Sequence, residues 1–410
     1  MSQRLSPRER VRRVLTRQSI DRIPNGLCGT ETATLHLLAY EKLKQVLGVA
    51  SPKNRMTTFM TTALGEIDVL EAMEADIVLL NSRMCAADFW GSGVERQWKD
   101  VCFWGKTFQA PREWYFHTDA DGTIWWENNG WKCAPGGYYF DPVPKPSDPA
   151  ADQPKPEDYN PPHDLPDEAL RALEEGARWL YETTDFSIFV GETITDLQLN
   201  PGGFEAWCMR LVDDPDAVHA FLHRACEAAL DQLRLVDQAV GRYADMMMIA
   251  DDIGDRRGVT IGPRLWREIY KPHYKQLFTS WHEITEMKVH LHSCGSIYSI
   301  LPDLIECGVD VINPVQVSAQ NMEPTRLQSE FGEAIIFYGG AYDAVQTPPY
   351  VTADEVYDTV KENIQALSRS GGYIFAGEHN IPADTPIEHL RAIWQAYLDC
   401  RYLVAEAASG

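Results

Sequence analysis

The chain has 410 residues, 44% of them hydrophobic, and a formal net charge of −23. That is ample for a sizeable core, and the acidity argues against nucleic acid, because phosphate binding needs a basic face. It also disfavours a highly anionic substrate, unless a local cluster of arginines overrides the field.

The chain has no 18-residue apolar run, so no membrane-spanning helix is expected, and its first 20 residues are too polar for a signal peptide. Its nine scattered cysteines form no disulfide framework and fit a reduced, cytoplasmic protein. Near the start, Ser6-Pro7-Arg8-Glu9 reads as a capping box that opens a helix. Short, β-rich apolar runs then recur at 21–27, 75–81, 186–192, 245–252, 287–295, 309–317, 334–342 and 372–380, most of them followed by a helical pattern. Buried strands alternating with amphipathic helices indicate a parallel sheet, and eight of them predict an α/β chain folded as one (β/α)8 barrel over 1–410. Helix starts are marked by Asp214-Pro215, by Thr352 with Glu355, and by Thr385 with Pro386 and Glu388.

One region breaks the rhythm. Residues 82–165 follow the second strand and carry seven of the twelve tryptophans, from Trp90 to Trp131, then a Pro-rich tail. The Asp-Gly in ADGTIWWENN is a hairpin signal. We read this region as an insertion at a βα loop, on the catalytic face of a barrel. Its aromatics serve either as a lid or as the core of a small β-subdomain.

Barrel chemistry collects at the C-terminal ends of strands. Those ends carry Glu192, Asp251 and Asp252, then His290, His292 and Cys294, then Asn313 and Gln316, Tyr342 and Asp343, and Glu378 and His379. In MKVHLHSCGS, His292 and Cys294 lie two residues apart, about 7 Å along a strand, so an imidazole and a thiolate can share one zinc ion. A third ligand must come from elsewhere: His379 leads, with Glu378 next. His290, one pleat deeper, reads as core or as a hydrogen-bond partner of a ligand.

The stretches DDIG, GPRLWREIYKPHYKQL, HLHSCGSIYSILPDLIECGVDVINPVQ, YGG and GGYIFAGEHNIPADTPIEHL, with RERVRRVLTRQSIDRIP at the start, resemble the uroporphyrinogen decarboxylase superfamily, and within it the corrinoid-linked methyltransferase branch. The resemblance implies a (β/α)8 barrel. It also implies a zinc site formed by a His-x-Cys pair, matched by His292 and Cys294, and a third ligand before NIPADTP, where the branch's thiol methyltransferases carry Cys and this chain carries His379. One thiolate in place of two leaves a more Lewis-acidic metal.

The resemblance further implies transfer of a methyl group between a small methoxy- or thiol-type compound and a corrinoid on a separate carrier protein. Tetrahydrofolate is a further candidate acceptor. In this reading Asp252 and Glu192 supply a further metal ligand or a proton, and Asn313, Gln316, Tyr342 and Asp251 orient substrate. The arginine motif that grips carboxylates in the porphyrinogen decarboxylases is missing from NGLCGTETAT, which argues against that substrate. A decarboxylase or lyase acting on a small acid, with Asp251 or Asp252 as the acid, is the alternative. The apolar pattern of HLRAIWQAYL suggests a surface that a homodimer would cover.

Overall fold

The computed structural model describes residues 4–403 except 52, 58–59, 81–97, 129, 144–156, 158, 198–202, 345–346 and 348–349. Trp90 and most of the Pro-rich tail therefore lie outside the described residues. In chain order the strands are β1 (Ile77–Leu80), β2 (Trp98–Phe103), β3 (Lys106–Pro111), β4 (Phe116–Thr118), β5 (Ile124–Trp126), β6 (Trp131–Cys133) and β7 (Asp141–Pro142), then β8 (Ser187–Val190), β9 (Ala244–Ala250), β10 (Lys288–His292), β11 (Val311–Asn313), β12 (Ile336–Tyr338) and β13 (Tyr373–Ile374).

Seven of these form one parallel sheet in the order β1-β8-β9-β10-β11-β12-β13. The run at 21–27 supplies the missing eighth position. Gly26 N donates to Phe375 O at 2.8 Å, Phe375 N to Pro24 O at 2.9 Å, and on the other edge Asp76 N to Asn25 O at 2.8 Å. The extended segment around Asn25 thus joins β13 to β1 and curls the sheet into the (β/α)8 arrangement. Period-two alternation sends Ile77, Leu79, Phe189, Met246, Met248, Val311, Ile336, Tyr338 and Ile374 into one interior cluster, apart from the larger layer between strands and helices.

Closure is pinned by charge. Asp76 is fully buried; its carboxylate accepts from Asn25 N at 2.7 Å and from Arg22 Nη1 at 2.7 Å, and also pairs with Arg10. Arg10 in turn bonds Asp21 through Nε at 2.7 Å. Two arginines and a backbone donor around one carboxylate leave little desolvated charge unpaired.

Helix starts follow the sequence signals in part. Ser6 accepts from Glu9 N, Asp214 from Ala217 N, and Thr352 with Glu355 forms the reciprocal capping box. Thr385 does not cap; the last helix, Ile387–Cys400, follows Pro386 with no side-chain cap bond. That helix turns Leu390, Ile393, Ala396 and Tyr397 inward and packs on the helices Leu37–Leu47 and Ala353–Leu367. Its apolar stripe is therefore satisfied within the chain and does not by itself call for a second copy. No described helix is long and apolar enough to cross a membrane.

Between β1 and β8, β2 and β3 make a hairpin, and β4 to β7 a four-stranded antiparallel sheet. The Asp-Gly turn connects β4 and β5. Trp98, Trp114 and Trp126 are buried, and the rings of Trp114 and Trp126 lie 4.5 Å apart, so these tryptophans pack as a local core.

Removing the Asp76 carboxylate strands two buried guanidinium groups. Asp76→Ala is expected to lower the unfolding free energy by about 3–5 kcal/mol in urea titrations. Glu41→Gln, which breaks the more exposed pair with Lys106, should cost under about 1 kcal/mol.

A second prediction concerns pH. Burial pushes the Glu66 carboxyl up to about 7 from its ordinary 4.5, with Lys44 pulling the other way. Between those values the folded chain holds a proton that the unfolded chain releases, so stability falls as pH rises through that window. Glu66→Gln should flatten this slope and exceed the parent at pH ~8 by roughly 2 kcal/mol, measured by denaturation at both ends of the window.

Candidate metal centre

β10 ends at His292, and the chain then turns through Ser293, Cys294 and Gly295. Gly295 has φ +82°, and a Cβ there would lie 2.5 Å from the Gly254 carbonyl carbon. Only glycine lets this turn pack backbone to backbone on the loop after β9. Asp252 of that loop accepts from Cys294 N at 2.9 Å, and Gln316, beyond β11, accepts from Gly295 N at 2.6 Å. Two neighbouring strand-end loops therefore hold the Cys294 turn.

This turn brings Cys294 Sγ to 3.5 Å from His292 Nε2. His379, past β13, completes the group: one donor atom from each of His292, Cys294 and His379 lies within 4.8 Å of the others. The imidazole rings of His292 and His379 are 5.5 Å apart, centre to centre. Nitrogen and sulfur donors converging on one small volume are the set that zinc takes, and the spacing fits bonds of about 2.0–2.3 Å to a common ion. Cys294 and His379 are each partly exposed, which leaves the centre reachable.

Burial sets the electrostatics. It pushes His379 down to about 4, helped by His292, with Asp252 opposing. It also lowers His292, against the pull of Asn313, Asp252 and Glu192. The Cys294 thiol is pushed up by burial and by Asp252. Without a cation the donors are thus two neutral imidazoles and a thiol, and a metal ion would take the charge role that the site lacks.

The other strand-end residues divide by position. Asp252 is exposed, with Oδ1 4.0 Å from His292 Nε2. Glu192 lies just beyond β8, near Glu31. Asp251 is buried, and its carboxyl is raised by desolvation, then by Asp196 and Asp252. Together with Phe204, Trp207, Trp266 and Tyr270, the two aspartates line a cavity of about 90 Å³. Tyr342 is buried, its phenol pushed up to about 12 by burial and hydrogen-bonded to Thr385.

Glu378 does not join the three donors. Burial pushes it up to about 10, followed by a hydrogen bond to Asp343, while Arg256 and Gln316 pull it back. His290 is fully buried, edge-on to Phe189 and Tyr338, and neither ring nitrogen has a hydrogen-bond partner. It is interior packing and does not support a ligand through a hydrogen bond.

Asn313 is fully buried, and its amide is engaged by the protein. Oδ1 accepts from His292 Nδ1 at 2.8 Å and from Thr32 Oγ1 at 2.8 Å, while Nδ2 donates to Tyr338 O at 3.1 Å. Thr32, in the loop after the extended segment around Asn25, escapes motif reading. Nothing in GTETAT marks one threonine as the residue that reaches across the barrel mouth.

Comparisons with known proteins follow the same geometry. The structure superposes on a methyltransferase from Methanosarcina mazei with a TM-score of 0.55 and 15% identity, covering 96% of this chain and 99% of that one, which establishes a shared fold. Xylanase B from Clostridium stercorarium F9 overlaps 60% of this chain and 85% of its own at 11% identity and a TM-score of 0.32, too low to argue from. No curated protein matches the sequence. The family model described as Uroporphyrinogen decarboxylase (URO-D) matches residues 199–399, the part that carries β9 to β13 and all three clustered donors. Over those residues the chain is similar to the uroporphyrinogen decarboxylase family.

Proposed function

We propose that this chain is a zinc-dependent methyltransferase that moves a methyl group between a small methoxy- or thiol-type compound and a corrinoid held by a separate carrier protein. The observation that carries the reading is the convergence of His292, Cys294 and His379 at the C-terminal mouth of the barrel, where barrel enzymes do their chemistry. The fold shared with a protein described as a methyltransferase supports it.

His292, Cys294 and His379 would hold the ion. Bound there, zinc would supply Lewis acidity toward a substrate thiol or ether oxygen. Asp252, exposed and beside His292 and Cys294, is the group suited to take a proton from a substrate thiol or return one to a leaving oxygen, with Glu192 as the second carboxylate at the mouth. Asp251, whose carboxyl burial raises well above its usual range, would in its protonated form donate a hydrogen bond to a substrate. Gln316 and Tyr342 border the same loops and would fix orientation. The cavity with aromatic walls and aspartates, lined among the described residues by no arginine or lysine, suits a small neutral body better than an acid.

The β2–β7 segment would close over one side of this mouth. It is tied to the loops after the first strand and β13: His36 Nε2 donates to Tyr138 O at 3.0 Å, and Tyr139 bonds Ala383. A decarboxylase acting on a small acid is the second reading, favoured by the family model and by the protonated Asp251.

Metal content by mass spectrometry of the untagged protein, beside a Cys294→Ser, His379→Ala double variant, tests the proposal. The expected result is near one equivalent of zinc, lost in the variant, together with chelator-sensitive methyl transfer to or from a corrinoid carrier. No bound zinc and no uptake on reconstitution would sink it. Carbon dioxide release from a small acid that survives chelation would favour the second reading.

A further inference from the structure

A histidine binds a metal only through a nitrogen that carries no proton, so the tautomer of each ligand must be set by what its other nitrogen touches. For His292 the surroundings determine it. The Tyr338 carbonyl only accepts, so the Asn313 group 3.1 Å from it is the amide nitrogen. Oδ1 therefore faces Thr32 and His292, and being an acceptor it requires a proton on His292 Nδ1. Nε2 is left with its lone pair, aimed toward Cys294 Sγ at 3.5 Å.

We propose that Asn313, braced by Thr32 and the Tyr338 carbonyl, is a positioning residue that holds His292 in its Nε2-ligating tautomer before any metal arrives. The sequence pattern suggested that Asn313 touches substrate; its burial and its three protein partners assign it this other task. The purpose of the device rests on the zinc reading above, but its geometry does not. Thr32 comes from the loop after the extended segment around Asn25, whereas His292, Asn313 and Tyr338 come from β10, β11 and β12. The tautomer is thus secured from across the barrel mouth, and only in the closed fold.

The test begins with the metal-free parent protein. Nitrogen NMR of ¹⁵N-histidine-labelled protein, with the His292 signals assigned by their loss in His292→Gln, should give a pyrrole-like Nδ1 and a pyridine-like Nε2. A protonated Nε2 overturns the proposal outright. Asn313→Leu removes the acceptor at similar size; it should mix the tautomers and weaken zinc binding by about 10–100-fold in chelator competition. Asn313→Asp restores an acceptor and should bind zinc within a few-fold of the parent. Equal affinity in the parent and a folded Leu variant, or equal losses in the Leu and Asp variants, would overturn the positioning role. A parent that takes up no zinc while its Nε2 is bare would defeat the zinc reading and leave the tautomer assignment standing.

Discussion

The carboxylate of Asp76 is the point on which the rest of the molecule turns. It begins β1, yet its side chain reaches sideways to the Asn25 backbone and to Arg10 and Arg22, which precede the first barrel position. An open parallel sheet has two unsatisfied edges. Here the segment around Asn25 closes both, bonding to Phe375 on one side and Asp76 on the other. A short segment with a single bridge to β13 is a weak strand by itself, and a buried ion cluster beside it supplies the specificity that so few ladder bonds would not. Closure then decides where the following loop goes. Residues 26–36 fold over the mouth, and Thr32 arrives at Asn313.

The cluster of His292, Cys294 and His379 depends on that arrangement. His292 is fixed by β10 and by Asn313, one strand over in direct register. Cys294 is fixed by a glycine turn that two other loops clamp through Asp252 and Gln316. His379 follows β13, whose far neighbour is the closing segment around Asn25. Burial keeps the imidazoles neutral and the thiol protonated, so the donors do not repel one another in the absence of an ion. Around them sit further carboxyl groups in two conditions. Asp252 is open to solvent, whereas Asp251 and Glu378 are raised by burial.

The tryptophan-rich segment shows how an insertion can be stable without belonging to the barrel. Its hairpin and four-stranded sheet are too small to stand alone, and large rings compensate by burying much area per residue. The cluster of Phe103, Phe116, Trp126 and Phe140 does this at ring separations of 5.0–6.0 Å. Its outer edge, through Trp104, Tyr138 and Tyr139, meets His36 at the start of a barrel helix.

What the sequence determined by itself was the architecture and the three donor side chains that the structure brings together. Period-two runs of buried residues and capped amphipathic helices are local patterns, and each of the eight predicted runs contributes to the barrel wall. His292 and Cys294 were legible because two residues of strand is a fixed distance, and His379 because strand ends in a barrel share one face. The remainder was a matter of which side chains meet across the mouth, and no local spacing encodes that. Asn313, expected to orient substrate, is buried with its amide bonded to His292, Thr32 and the Tyr338 carbonyl. Thr32 carried no signal. Glu378, next to the third donor, turned away to Asp343. His290, in phase with His292, sank into apolar packing one layer down. Each of these outcomes depends on contacts between segments tens to hundreds of residues apart, which exist only once the sheet has closed.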